Sequence, residues 1–180
     1  MLYVVGNRVT YLDNIMYVVR WKSPTISLYD MDTLSPLNEV ISIKHLLDIV
    51  RNVRGLIDPR DIVVCRHDRQ LYVADWDCIW RVSVDERSYV KWMNTQFRVW
   101  SMSLTSQHLL MTSADPPILH QYNTTNKQLL CDVQLPRYVK VLYHAVETTR
   151  GTFVICHLGT SQYKKYAVSE LLRFCDVLHH

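Results

Sequence analysis

One motif recurs along this chain and limits what it can fold into. Gln70–Asp85 (QLYVADWDCIWRVSVD) reads as two short strands, Leu71–Ala74 and Ile79–Val84, joined by a tight polar turn over Asp75, Trp76 and Asp77. In the second strand Ile79, Arg81 and Ser83 alternate with Trp80, Val82 and Val84, the period of two that a half-buried strand requires. Weaker copies of this hairpin appear three more times. Ile15–Trp21 and Ile26–Tyr29 flank Lys22–Thr25, His108–Thr112 and Ile118–Tyr122 flank Ser113–Pro117, and Thr152–His157 and Tyr163–Val168 flank Leu158–Ser161.

Further strand-like runs, among them Leu2–Val5, Val9–Leu12, Asn38–Ile43, Arg60–Arg66, Tyr89–Met93, Phe97–Leu104 and Gln128–Leu135, complete a pattern of about four strands per copy. The copies align at Met16, Leu71, Leu109 and Phe153, a recurrence of roughly 40–50 residues once one insertion is set aside. Four antiparallel strands recurring at that length predict an all-β fold, a β-propeller or propeller fragment of about four blades, rather than a β-sandwich. The whole chain, 1–180, then forms a single propeller-like domain with approximate units 1–43, 59–96, 97–136 and 137–180. The insertion, 44–58 (KHLLDIVRNVRGLID), spaces Leu46, Leu47, Ile49, Val50 and Val53 close to a helical period and ends near Gly55, so it is expected to be a short amphipathic helix packed on the sheets. Propellers close with about 4–8 blades. Four units therefore make either a small closed ring or part of a larger one, completed by further blades or self-association.

Bulk properties exclude several classes. No apolar run approaches the roughly 20 residues that span a bilayer, and MLYVVGNR lacks the basic start of a signal peptide, so no membrane role is expected. A net charge of +3 is a mild bias beside that of domains dedicated to nucleic acid. Cys65, Cys78, Cys131, Cys156 and Cys175 are odd in number and include no CxxC pair, which argues against a zinc ribbon or a disulfide framework. Four of the five sit in apolar strand-like runs, so reduced, structural thiols in a cytoplasmic protein are expected.

The organising hairpin carries a family likeness. LYVADWDCIWRVSVD resembles the blade core of NHL-repeat propellers, in which a strand ending in aspartate turns tightly into an I-x-x-[VF] strand. PRDIVVCRHDRQ just before it resembles that family's P-x-x-[IV]-x-[VF] strand and polar turn. The likeness covers Asp58–Asp85, while the 4 glycines of the whole chain are fewer than such blades carry. It implies a propeller fold and a ligand face built from the blade turns.

No GxSxG elbow, GxxxxGK[ST] loop or HExxH pair is present, so no catalytic residue, no cofactor and no enzyme activity are expected. Cys156 and His157 are adjacent on one strand and point to opposite faces, which rules them out as a dyad. Asp75, Asp77 and Asp115 lie in turns that share one face if the units are blades. Carboxylates gathered there suit a hard divalent cation, and gluconolactonase-like propellers, to which NHL repeats are related, hold a catalytic metal in such a place. Capping of the turn backbone is the stronger reading of these aspartates. Basic and aromatic residues cluster beside the same turns, namely Arg20, Trp21, Lys22, Arg60, Trp76 and Arg137. Trp, Tyr and Arg are the favoured anchors of protein interfaces, and with phosphate-neutralising cations they also suit single-stranded RNA, which some NHL propellers bind. The sequence thus points first to a non-catalytic module that binds a protein partner. A plain scaffold, RNA binding on the same face and a metal-dependent lactonase-type hydrolase follow in that order.

Overall fold

Every strand in this fold pairs with its neighbour in the chain. The computed structural model describes residues 7–43, 55–105, 107–113, 115–135, 139, 141–158 and 166–171. Among them the first sheet is a meander of β1 (Asn7–Leu12), β2 (Ile15–Arg20), β3 (Thr25–Asp30) and β4 (Pro36–Ser42), in that order. The second repeats it with β5 (Asp61–Cys65), β6 (Gln70–Ala74), β7 (Cys78–Ser83) and β8 (Tyr89–Asn94). The third comprises β9 (Val99–Leu104), β10 (His108–Ser113), β11 (Ile118–Asn123) and β12 (Leu129–Gln134). The fourth has three strands among the described residues, β13 (Val141–Glu147), β14 (Phe153–Leu158) and β15 (Tyr166–Leu171). The chain divides into two structural units, Met1–Gln96 and Phe97–His180.

The turns repeat as faithfully as the strands. The last residue of the third strand caps the following turn in three sheets. Asp30 Oδ1 accepts from the Asp32 and Thr33 amides at 3.0 and 2.8 Å, Ser83 Oγ from Glu86 at 3.3 Å, and Asn123 Oδ1 from Thr125 and Asn126 at 2.8 and 3.1 Å. Four residues past each cap the backbone turns left-handed, at Leu34 (φ 55°), Arg87 (52°) and Lys127 (63°). Side chains with a Cβ adopt that region only at some cost. The chain meets the geometric demand without glycine, which explains how so few glycines serve so many turns. The bonds from Thr33 also hold the Asp30 carboxyl below the usual carboxylate range.

In the first unit the two sheets share one core. Tyr17, Val19 and Ile26 from the first sheet meet Leu71, Val73, Trp80 and Val82 from the second, with Ile43 and Leu56 between the strands. β6 is buried on both faces, since Tyr72 on its other side lies edge-on to Trp92 at 5.3 Å. Ion pairs tie the rim. Arg69 binds Asp13 at 2.7 Å across the sheets and Asp85 at 2.9 Å within its own, and Arg87 reaches Glu39. Arg69 and its partners are substantially exposed, so they fix register more than they stabilise.

In the second unit Leu119, Leu142, Phe153 and Ile155 fill the core between the third and fourth sheets. A polar seam runs beside it. Gln121 Nε2 donates to Glu147 Oε2 at 2.9 Å, and His108 Nδ1 lies 3.1 Å from the same oxygen. His120 stacks on Phe97 at 3.8 Å and hydrogen-bonds Asp132 at 2.7 Å through Nδ1, while its buried Nε2 has no partner among the described residues. Burial lowers the His120 pKa and outweighs the opposing pull of Asp132. The unfolded chain therefore binds the proton more readily than the folded one. Stability is fully present above the unfolded value of about 6.5 and is lost as pH falls below it. Urea melts at pH 7.5 and 5.5 should show a larger loss for wild type than for His120→Phe. An equal loss in both would place the acid sensitivity elsewhere.

Some expectations change and others fall outside the described residues. Of the segment 44–58, only 55–58 fall among the described residues, and these are not helical, the chain bending at Leu56 and Asp58. The Leu56 amide donates to Ile43 O at 3.1 Å, which places Leu56 in the core by backbone pairing. The last strand runs Tyr166–Leu171 among the described residues, with Tyr166 paired to Leu158 and Leu171 to Phe153, so it extends past the expected end at Val168, while residues 163–165 lie outside the described residues. Leu2–Val5 and Cys175 lie outside the described residues. Cys65, Cys78 and Cys156 are free thiols, burial pushing Cys78 up to about 12, whereas Cys131 is disulfide-bonded, contrary to the all-thiol reading.

Candidate functional site

The turns of the first unit bring most of the chosen residues together. Between β2 and β3 the chain reverses at Trp21–Pro24, with Lys22 left-handed (φ 60°) and the Ser23 amide closing on Arg20 O at 3.0 Å. That conformation lays the Lys22 ammonium over the Trp21 ring, 4.5 Å from its centroid. The Arg60 guanidinium lies 6.0 Å from the same centroid, within the range of a cation–π contact.

Arg60 is aimed by its surroundings. Its amide joins the sheet at Ala74 O (2.8 Å), and its guanidinium binds Asp58 Oδ2 at 2.6 Å. Asp58 is held in turn by the next element. Its amide donates to Asp75 Oδ1 at 2.6 Å, the Ile57 amide donates to the same carboxylate at 2.9 and 3.1 Å, and Trp80 Nε1 donates to Oδ2 at 3.3 Å. Asp75 is 1% exposed. It caps the segment leading into β5, rather than the backbone of its own turn. That turn is closed by main-chain bonds, Asp75 N to Cys78 O (2.9 Å) and Thr95 N to Asp77 O (2.8 Å).

At the crest of this braced turn stands Trp76. The resulting surface carries Trp21 (56% exposed), Trp76 (51%) and Ile57 (39%), with Lys22 and Arg60 against it. Arg20 takes another course, its guanidinium donating to the Tyr29 hydroxyl. Arg137 lies outside the described residues.

Asp75 spends both oxygens on amide and indole donors, Asp77 is exposed, and Asp115 belongs to the other structural unit. Among the described residues no group of three or more His, Cys, Asp or Glu is placed to hold a metal ion. Two residues of this arrangement escaped the sequence reading, the exposed Ile57 and the buried Asp58 that braces Arg60. Both lie in the stretch 44–58 whose spacing predicts a helix, so no signal in the sequence set them apart.

No family model matches the sequence, and neither does any curated protein. Solved structures do match in fold. The chain is similar to hydrazine synthase of Kuenenia stuttgartiensis (TM-score 0.69, 11% identity, 94% of this chain and 46% of that one). It is similar to the WD40 β-propeller domain of Doa1 (TM-score 0.59, 13% identity, 83% and 46%). A chain of a nidogen/laminin complex also matches (TM-score 0.62, 15% identity, 86% and 56%). This chain spans about half the length of each. At such identities the likeness speaks to fold alone, and with the four meanders it makes the fold all-β, a β-propeller or propeller fragment.

Proposed function

We propose that the chain is a non-catalytic, NHL-like propeller module that binds a protein partner through the surface of Trp21, Ile57 and Trp76, with Lys22 and Arg60 as its charged edge. One observation carries the reading: two tryptophans more than half exposed on turns closed by main-chain bonds, Trp76 beside the buried, hydrogen-bonded Asp75 carboxylate. Rigid aromatic anchors give up little side-chain freedom on binding and so contribute most of an interface's energy. The nidogen/laminin match supports the reading by analogy, since that structure is a protein complex. Further blades or a second copy of the chain would complete the ring.

Immobilised wild-type chain, incubated with nuclease-treated lysate, is expected to retain a protein that the Trp21→Ala/Trp76→Ala variant does not. With that protein purified, each single substitution should weaken binding by about 2 kcal/mol, roughly 30-fold. Affinity unchanged by both substitutions would exclude the surface. Binding instead to a single-stranded oligouridylate, falling steeply with salt as phosphate counterions are released, would favour the RNA reading.

A further inference from the structure

A second feature of the first unit lies at the strand ends opposite those that carry Trp21 and Trp76. Where β4 of the first sheet approaches the turn between β7 and β8 of the second, a cavity of about 160 Å³ remains. Ile15, Tyr17, Leu28 and Ile41 line it from the first sheet and Val84 from the second. The strand register puts the first four on one face of their sheet, and all five side chains pack in or against the core that the two sheets share. An apolar cavity of about 150 Å³ admits benzene, so this one has room for a single ring or a short branched chain.

Two opposite charges stand at its mouth. Glu39 on β4 and Arg87 in the β7–β8 turn also line the cavity, and their ion pair joins the two sheets there. The pair uses Arg87 Nη2 and Glu39 Oε2. Glu39 Oε1 and Arg87 Nη1 take no hydrogen bond among the described residues. Both side chains are more than half exposed, so a ligand reaches these atoms without stranding a buried charge. The mouth thus presents an anionic acceptor and a cationic donor side by side above an apolar floor. A ligand of single charge is attracted by one and repelled by the other. A zwitterion satisfies both.

We infer that this cavity binds a free α-amino acid with a short branched apolar side chain, its ammonium on Glu39, its carboxylate on Arg87 and its side chain among Ile15, Leu28, Ile41 and Val84. The two charged groups of an α-amino acid stand on one carbon, so they reach separate partners only where those partners are themselves adjacent, as Glu39 and Arg87 are. Burial of the side chain supplies most of the affinity, and the exposed charges select the class of ligand.

Leucine, 4-methylpentanoate (the acid without the ammonium), 3-methylbutylamine (the amine without the carboxylate) and glycine are the probes, titrated into the full chain and followed by methyl NMR of Ile15, Leu28, Ile41 and Val84. Leucine should shift these methyls saturably, each single-charge analogue should bind about fivefold more weakly, and glycine should shift none of them. Glu39→Gln should weaken leucine and the amine but not the acid, and Arg87→Gln should weaken leucine and the acid but not the amine. Both positions are exposed, so neither variant endangers the fold. No saturable shifts with leucine would overturn the site. Either analogue binding as tightly as leucine would overturn the ligand class. An equal loss of all three ligands in both variants would overturn the assigned roles of Glu39 and Arg87.

Discussion

Replacing Asp75 with alanine is expected to cost about 3–5 kcal/mol of stability, the largest effect of any polar substitution in the first unit. The carboxylate is buried and accepts from the Ile57 and Asp58 amides and from the Trp80 indole. Alanine strands all three donors at a position that is almost fully buried. Asn should cost less, about 1–2 kcal/mol, because its amide oxygen still accepts while its NH2 faces a donor. Urea denaturation of the three proteins gives the ranking, and the melting temperature of Asp75→Ala should fall by about 10 °C. A loss below about 1 kcal/mol would mean that the segment entering β5 is held by packing rather than by this carboxylate. The same substitution should weaken partner binding even where the chain stays folded, since Asp58, and through it Arg60, loses its anchor.

Phe153→Ala is expected to cost about 3–5 kcal/mol by a different route. Phe153 is fully buried among Leu119, Leu142 and Ile155, where β14 meets the third sheet's core. Truncation removes apolar contact and leaves a ring-sized void between two sheets that are each pinned by their own ladders, so the walls have little freedom to collapse. Phe153→Leu keeps most of the volume and should cost no more than about 1.5 kcal/mol. Calorimetry on the pair checks it: similar losses for Leu and Ala would show that ring shape, not volume, sets the energy at this position.

How much of this was legible in the sequence depends on which interactions are local. The hairpins were readable because alternation over Ile79–Val84 is a direct image of a strand whose two faces differ in burial, and Trp80 and Val82 do enter the core while Arg81 and Ser83 are half-buried. The meeting of Trp21, Lys22 and Arg60 was readable once the turns were placed on one face. The direction of Asp75 was not, since an aspartate in a turn looks the same whether it bonds its own backbone or reaches to residues 57 and 58. The turn geometry at Leu34, Arg69 and Arg87 was hidden for a related reason. Glycine is the usual signal of a left-handed residue, and here neighbouring caps and ladders force ordinary residues into it. Ile57 falls in the stretch 44–58 whose spacing predicts a helix, while the bond from the Leu56 amide to Ile43, which places the described residues 55–58 outside any helix, is made with a residue beyond that stretch.

The strictly consecutive order of strands in each sheet has a kinetic meaning. Each pairing closes a loop of only a few residues, so the entropy lost before the first contacts form is small. A meander such as β1–β4 is therefore complete as soon as its own residues have left the ribosome, with nothing to wait for downstream. What waits is its apolar face, because Tyr17, Val19 and Ile26 find their cover only when β6 and β7 arrive. The first sheet is thus a nascent species with native pairing and an uncovered face, and its outer strand β4 opens with Pro36 and carries Glu39, two residues that discourage pairing with a stranger.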